Sequence, residues 1–234
     1  MDCMNKLGKL YIVATPIGNL EDVTLRARRV LSEADAVICE EFKIGSRLLK
    51  RLKIEPKSLL TVNEHNENES TSEVLTRLSK GESLALISDA GTPVFSDPGS
   101  LVIEIVTQAG FSVIPIPGPS SLMATLSILD FRLDQFVFGG FLPRVPEHRR
   151  QELQRLKFMR MAVVVMDTPY RLSTLLEDVE AVFGKTNPAT LAMELTQPGE
   201  TILRGSIENL RKQVGSRKAE FILVIHPSSS RQRQ

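Results

Sequence analysis

Short apolar runs alternate with amphipathic stretches along the first half of the chain. Residues 10–14, 36–39, 59–62, 84–87 and 112–116 each read as a brief, buried strand. Between them, polar and apolar positions recur with helical spacing at 24–34, 46–52, 71–80, 98–109 and 121–129. Leu25, Val30 and Leu31 form the apolar stripe of the first helix. Ser70 and Glu73 form a capping-box pattern for the third, and Gly110 closes the fourth. Strand and helix in regular alternation predict a mainly parallel sheet.

The pattern changes at 130–135, where the domain boundary is placed: a first α/β domain over 1–130 and a second over 136–227. In the second, 136–141 is apolar, and Leu142-Pro-Arg-Val-Pro146 reads as a rigid loop. A charged helix is expected over 147–157, a strand over 162–166, and a helix to about 183 with Leu172, Leu175, Leu176 and Val179 facing a core. Three further strands fall at 190–194, 200–204 and 220–225, with a helix over 206–214. Strands this close together predict a mixed sheet. The polar tail, 228–234, is expected to be disordered.

Composition narrows the partners. The 234 residues carry a formal charge of only +1, so a nucleic-acid surface would have to be a local patch. Arg47, Lys50, Arg51 and Lys53 are one such basic side, although a solvated helix face has the same composition. Cys3 and Cys39 are the two cysteines, with no Cys-x-x-Cys, which fits a reducing cytoplasm and neither a zinc site nor a disulfide framework. The first apolar run is too short for a signal or membrane segment. With no Trp and two Tyr, there is little for an extended stacking platform.

The chemistry concentrates in Leu84-Ala-Leu-Ile-Ser-Asp-Ala-Gly-Thr-Pro-Val-Phe-Ser-Asp-Pro-Gly99. A strand stops, a loop carries Asp89, Gly91 and Pro93, and Asp97-Pro98 reads as a helix N-cap with proline at the first helical position. Such a loop sits at the carboxyl edge of an α/β sheet, where open sheets bind ligands. The same spacing fits an ordinary strand-to-helix connection. Loops 15–19, 117–121 and 166–171 have similar composition and are candidates to line one cleft between the domains. The dinucleotide fingerprint, the P-loop lysine and the nucleophile elbow are all missing. His65 lies beside Glu64 and Glu67, but only His148 and His226 remain as further histidines, so no metal site is expected.

Six ordered stretches resemble a known family: 10–20 (Leu-Tyr-Ile-Val-Ala-Thr-Pro-Ile-Gly-Asn-Leu), 64–67 (Glu-His-Asn-Glu), 88–93 with 96–99 (Ser-Asp-Ala-Gly-Thr-Pro, Ser-Asp-Pro-Gly), 117–120 (Pro-Gly-Pro-Ser), 140–144 (Gly-Phe-Leu-Pro-Arg) and 194–196 (Glu-Leu-Thr). Together they resemble the ribosomal RNA small subunit methyltransferase I group of the tetrapyrrole methylase superfamily, over roughly 10–225. The resemblance implies a two-domain tetrapyrrole methylase-like α/β fold in a homodimer, with S-adenosyl-L-methionine as cofactor in the interdomain cleft. It implies methyl transfer to a cytidine ribose 2′-hydroxyl of 16S ribosomal RNA or of the small ribosomal subunit. The implied cofactor contacts are Pro16, Gly91, Thr92, Pro93, Ser120, Ser121, Met166, Leu195 and Thr196. Glu40, His65 and Asp89 are unranked candidates to accept the hydroxyl proton. Arg47, Lys50, Arg51, Arg144, Arg149 and Arg150 would contact RNA phosphates.

Three departures from the group's pattern fall on the substrate side. Glu40-Glu41-Phe42-Lys43 stands where the group usually has Glu-Asp-Thr-Arg, Met166-Asp-Thr-Pro-Tyr-Arg171 where it has Tyr-Glu-Ser-Pro-His-Arg, and Gly139-Gly140 where it has Glu-Gly. They keep two alternatives open: a small-molecule, tetrapyrrole-like methylase, or a diverged paralogue that binds cofactor or ribosome without transferring methyl.

Overall fold

The computed structural model describes residues 7–63, 66–94 and 99–227. The chain divides into two compact units, Met1–Ser120 and Ser121–Gln234.

In the first unit, strands β1 (Lys9–Val13), β2 (Ala36–Cys39), β3 (Leu59–Thr61), β4 (Ser83–Ile87) and β5 (Ser112–Ile116) form one parallel sheet in the order β3-β2-β4-β1-β5. Helices α1 (Leu25–Glu33), α2 (Phe42–Arg51), α3 (Glu67–Ser79) and α4 (Ser100–Gln108) make the crossovers. After β1 and β2 the chain moves toward the β3 edge; after β3 and β4 it moves back. Right-handed crossovers therefore send α1 and α2 to one face and α3 and α4 to the other. The cores agree: Val30, Leu31 and Leu49 pack on one side, Val74, Leu78, Val102 and Val106 on the other. β4 lies between β2 and β1 but sends its helix to the opposite face from theirs. The topological switch point is therefore at the carboxyl end of β4.

Two helices start earlier than their sequences predict. α2 begins at Phe42 rather than near 46. Gly45 lets the helix press onto the end of β2, where an added Cβ would come within 2.6 Å of Cys39 Sγ. α3 begins at Glu67, so Ser70 lies inside the helix, where its hydroxyl donates to Thr61 O at 2.9 Å instead of capping. Asn66 ties down the preceding turn, accepting from Asn63 N at 2.8 Å. α4 starts at Ser100 with Gly99 at its cap; the expected Asp97-Pro98 cap lies outside the described residues.

In the second unit, β6 (Phe136–Phe141), β7 (Ala162–Asp167), β8 (Pro188–Met193), β9 (Thr201–Ser206) and β10 (Phe221–Ile225) order as β6-β7-β10-β8-β9. β6 and β7 run parallel and the other neighbours antiparallel, giving the mixed sheet. Helices α6 (Pro146–Phe158), α7 (Leu172–Phe183) and α8 (Ile207–Val214) cover one face with Leu153, Leu156, Leu175, Leu176, Val179 and Leu210. α5 (Ser121–Ser127) places Leu122 and Leu126 on the other face against Val164, Ile222 and Val224. That packing is why the unit begins at Ser121, earlier than the change of pattern near 130. Among the described residues no helix is long and apolar enough to cross a membrane.

Candidate active site

The carboxyl edge of the first sheet is laced through Thr15, which is fully buried just past β1. Its amide donates to Gly91 O at 2.8 Å, and Gly91 N donates back to Thr15 O at 3.1 Å. Its hydroxyl donates to Ser88 O at 3.1 Å. Gly91 has φ +85°, a conformation glycine adopts freely, and a Cβ there would lie 3.1 Å from Ile17 Cγ2. Thr92 Oγ1 donates to Pro119 O at 3.2 Å, tying in the loop after β5. Ala14 N donates to Ile116 O at 3.2 Å. Loops 14–19, 88–93 and 117–119 thus form one fixed cluster over β4, β1 and β5. Val94, a β-branched residue, is held at φ +71° beside it. Such a conformation costs on the order of 1–3 kcal/mol and persists only where the surroundings impose it.

Pro16 is buried in this cluster, Pro93 is buried too, and Thr92 is exposed. Ser120 and Ser121 are half-buried where the chain passes from the first unit into the second.

Two candidate bases leave adjacent strands at this edge. β2 and β4 pair Ile38 with Leu86; Glu40 follows the end of β2, and Asp89 follows the end of β4. Both are half-buried. Glu40 lines a crevice with Cys39, Ser88, Pro93 and Gly99. Burial and then the Asp89 charge push the Cys39 thiol up to about 11, so Asp89 lies close to the end of β2 and Cys39 stays a protonated thiol. His65, the third candidate, lies outside the described residues, as does Glu64.

In the second unit the expected contacts fall at the corresponding strand ends. Met166 is half-buried near the end of β7. Leu195 sits between Glu194 and Thr196, whose φ values are +51° and +63°. Carboxylates hold this strained turn: Glu194 accepts from Glu220 N, and Glu200 accepts from Thr196 N, each at 2.7 Å.

The loop after β6 is fixed by a buried charge network that spacing does not reveal. Arg149 is 3% exposed, and its Nε donates to Asp178 Oδ2 at 2.6 Å. It also donates to Arg144 O at 2.9 Å. Arg171 donates to Leu142 O at 3.1 Å and Pro143 O at 2.7 Å while pairing with Asp167 at 3.1 Å. Three consecutive carbonyls of a proline-rich loop are thus held by two guanidinium groups. Arg150 pairs with the other oxygen of Asp178 at 2.5 Å. The expected phosphate surface therefore divides. Arg144 is exposed, but Arg149 is a structural cation inside the fold and Arg150 is committed to Asp178. Asp167 is buried; one oxygen accepts from Thr168 N, and the other has no hydrogen-bond partner. Burial pushes its carboxyl above the usual range, against the opposing pull of the Thr168 amide and Arg171. Among the described residues, no group of three His, Cys, Asp or Glu could hold a metal.

The sequence profile of the tetrapyrrole (corrin/porphyrin) methylases matches residues 9–211. The chain belongs to this methylase family. Within it, the chain is 40% identical to the ribosomal RNA small subunit methyltransferase I of Xylella fastidiosa strain Temecula1, over 95% of this chain and 82% of that one. It is 41% identical to the protein of the same name in Pseudomonas aeruginosa, over 89% of this chain and 74% of that one. The Escherichia coli O157:H7 protein of that name is 36% identical, over 94% and 78%. Among solved structures, a cobalt precorrin-4 methyltransferase superposes with a TM-score of 0.68 at 18% identity, over 93% of this chain and 94% of that one. A uroporphyrin-III C-methyltransferase of Thermus thermophilus, solved with S-adenosylhomocysteine, superposes at 0.66 and 19% identity, over 94% and 97%. These distant structures share the fold.

Two outcomes test the second unit's network. Asp178→Ala leaves Arg149 buried without its carboxylate and is expected to cost about 3–5 kcal/mol in urea unfolding; a loss under about 1 kcal/mol, as for a surface pair, would contradict the account. For Asp167, the raised carboxyl means the folded state holds the proton more tightly than the unfolded state. Stability from this group therefore falls as pH rises from the ordinary carboxylate range through the raised value. Asp167→Asn is expected to flatten unfolding midpoints against pH in that window; superimposable curves would contradict the burial effect.

Proposed function

We propose that the chain transfers a methyl group from S-adenosylmethionine to small-subunit ribosomal RNA, at a cytidine ribose 2′-hydroxyl. The observation that carries the reading is the pair of carboxylates, Glu40 and Asp89, beside the Thr15–Gly91 lacing at the switch point of a methylase-family sheet. The curated relatives, named as methyltransferases of small-subunit ribosomal RNA, supply the substrate class. Assembly as a homodimer and a cytoplasmic location belong to the same reading.

The residues present suit the cofactor. A nucleoside with a charged amino-acid tail needs fixed backbone donors and acceptors and a carboxylate for ribose hydroxyls. Fixed loops at 88–93 and 117–119, Asp89, and the strained turn at 194–196 supply such groups. Pro16, Gly91, Thr92, Pro93, Ser120 and Ser121 in one unit, and Met166, Leu195 and Thr196 in the other, are the proposed contacts. When bound, the cofactor supplies an already activated sulfonium methyl.

The protein's own tasks are alignment and proton transfer. The cofactor would supply the methyl carbon to the ribose oxygen and leave as S-adenosylhomocysteine, so the task left to the protein is to take up the hydroxyl proton. The carboxylate of Glu40 or Asp89 accepts that proton. A positioned base contributes about 10²–10⁴-fold, and a fixed loop cluster keeps the reacting groups in register.

The test is transfer of labelled methyl to purified small subunits lacking the modification, with the product nucleoside identified by mass. Labelled 2′-O-methylcytidine is expected, with kcat reduced about 10²–10⁴-fold in Glu40→Gln or in Asp89→Asn, and S-adenosylhomocysteine affinity kept in Glu40→Gln. No transfer with tight cofactor binding would favour a diverged paralogue. Transfer only to a tetrapyrrole would favour the small-molecule reading.

A further inference from the structure

α2 carries a cationic surface that the fold does not neutralise. Residues 42–53 contain Lys43, Arg47, Lys50, Arg51 and Lys53 and no acidic residue. The helix turns Gly45 and Leu49 inward and leaves Phe42, Lys43, Arg47, Lys50 and Arg51 exposed. Among the described residues, none of these four cations has an ion pair or a side-chain hydrogen bond. In the second unit, by contrast, Arg150, Arg155 and Arg211 each hold a carboxylate.

Helix stability explains only part of this. Lys50 and Arg51 in the last turn complement the helix dipole, but Lys43 lies in the first turn, where a cation is unfavourable. Lys43, Arg47 and Arg51 follow one another at four-residue spacing, a stripe about 12 Å long. The stripe starts at the carboxyl edge of the sheet, two residues past the exposed end of the Glu40-Glu41 pair. At its head is Phe42, 56% exposed at the first position of the helix. An exposed aromatic next to unpaired cations suits a nucleic-acid strand, whose bases stack while its phosphates pair. Arg28 of α1 donates to Leu52 O at 3.2 Å, which fixes the far end of the helix and brings α1 alongside.

We propose that α2 is the RNA-docking helix: Phe42 stacks on a base beside the methylated nucleotide, and Lys43, Arg47, Lys50 and Arg51 contact phosphates of the strand leading away. The inference rests on the ribosomal RNA reading above and adds to it the element that holds the strand. One aromatic serves as a wedge for one base, which needs no extended platform.

The test uses the full chain, with unmodified small ribosomal subunits as the probe and binding measured directly against salt. Replacing all four cations with Gln is expected to weaken binding at least tenfold. It should also flatten log K against log salt by about 0.7 for each phosphate that the variant no longer neutralises. S-adenosylhomocysteine affinity and the thermal midpoint should stay at wild-type values, which separates docking from folding. Phe42→Ala is expected to lower kcat/KM about tenfold without changing the salt slope, and Phe42→Tyr to restore it. An unchanged affinity and slope in the Gln variant would overturn the proposal, even where the wild type methylates the subunits. Weakened binding with an unchanged slope would also overturn it, pointing instead to a ribosomal protein as the surface met by α2. A wild type that binds subunits through α2 but transfers no methyl would sink the functional reading and leave the docking helix standing.

Discussion

A buried threonine holds the carboxyl edge of the first unit's sheet together. Thr15 directs its amide, its carbonyl and its hydroxyl at the loop after β4, and none of its surface reaches solvent. Buried polar groups are costly unless paired, so this residue fixes the loop as firmly as the loop fixes it. The parallel sheet alone would supply a crevice at the switch point. The lacing turns that crevice into a cluster of backbone groups with defined positions, and the positive φ of Gly91 and Val94 marks where the chain bends to make it.

The second unit reaches rigidity by different means. Its loop after β6 contains two prolines within 142–146 and offers carbonyls rather than amides. Buried or half-buried guanidinium groups suit such acceptors, because their planar donors can serve several carbonyls at once. Arg149 and Arg171 do so, and each needs its own carboxylate, Asp178 or Asp167, to be tolerated inside. The basic composition of this region is therefore partly architecture, whereas the basic composition of α2 is surface. Identical residue types divide between the two roles by the helix face they occupy.

Hydrophobic periodicity made the strands of both sheets and most helices legible, because most strands here are short apolar runs and most helices have an apolar stripe. What escaped was tertiary. The helix expected over 46–52 gives no sign of the close approach of Gly45 to Cys39 that lets it begin at Phe42. Ser70 looks like a cap until Thr61 claims its hydroxyl. Arg149 lies in a charged stretch that gives no sign of Asp178, distant in sequence. Nothing in Val94, Glu194 or Thr196 announces a left-handed backbone, since no local preference asks for one. The candidate site was legible where glycine and proline punctuate strand ends, at 88–93 and 117–120. It was not legible where ordinary residues are forced into strained turns.

We propose that backbone groups in the fixed loops of the first unit, and separately in the strained turn of the second, contact the cofactor. Amide hydrogen exchange with and without S-adenosylhomocysteine tests it most directly, because backbone groups are the proposed contacts. The account predicts slowed exchange confined to 88–94, 117–121 and 194–197. Binding that leaves these amides unchanged and protects another part of the chain would contradict it.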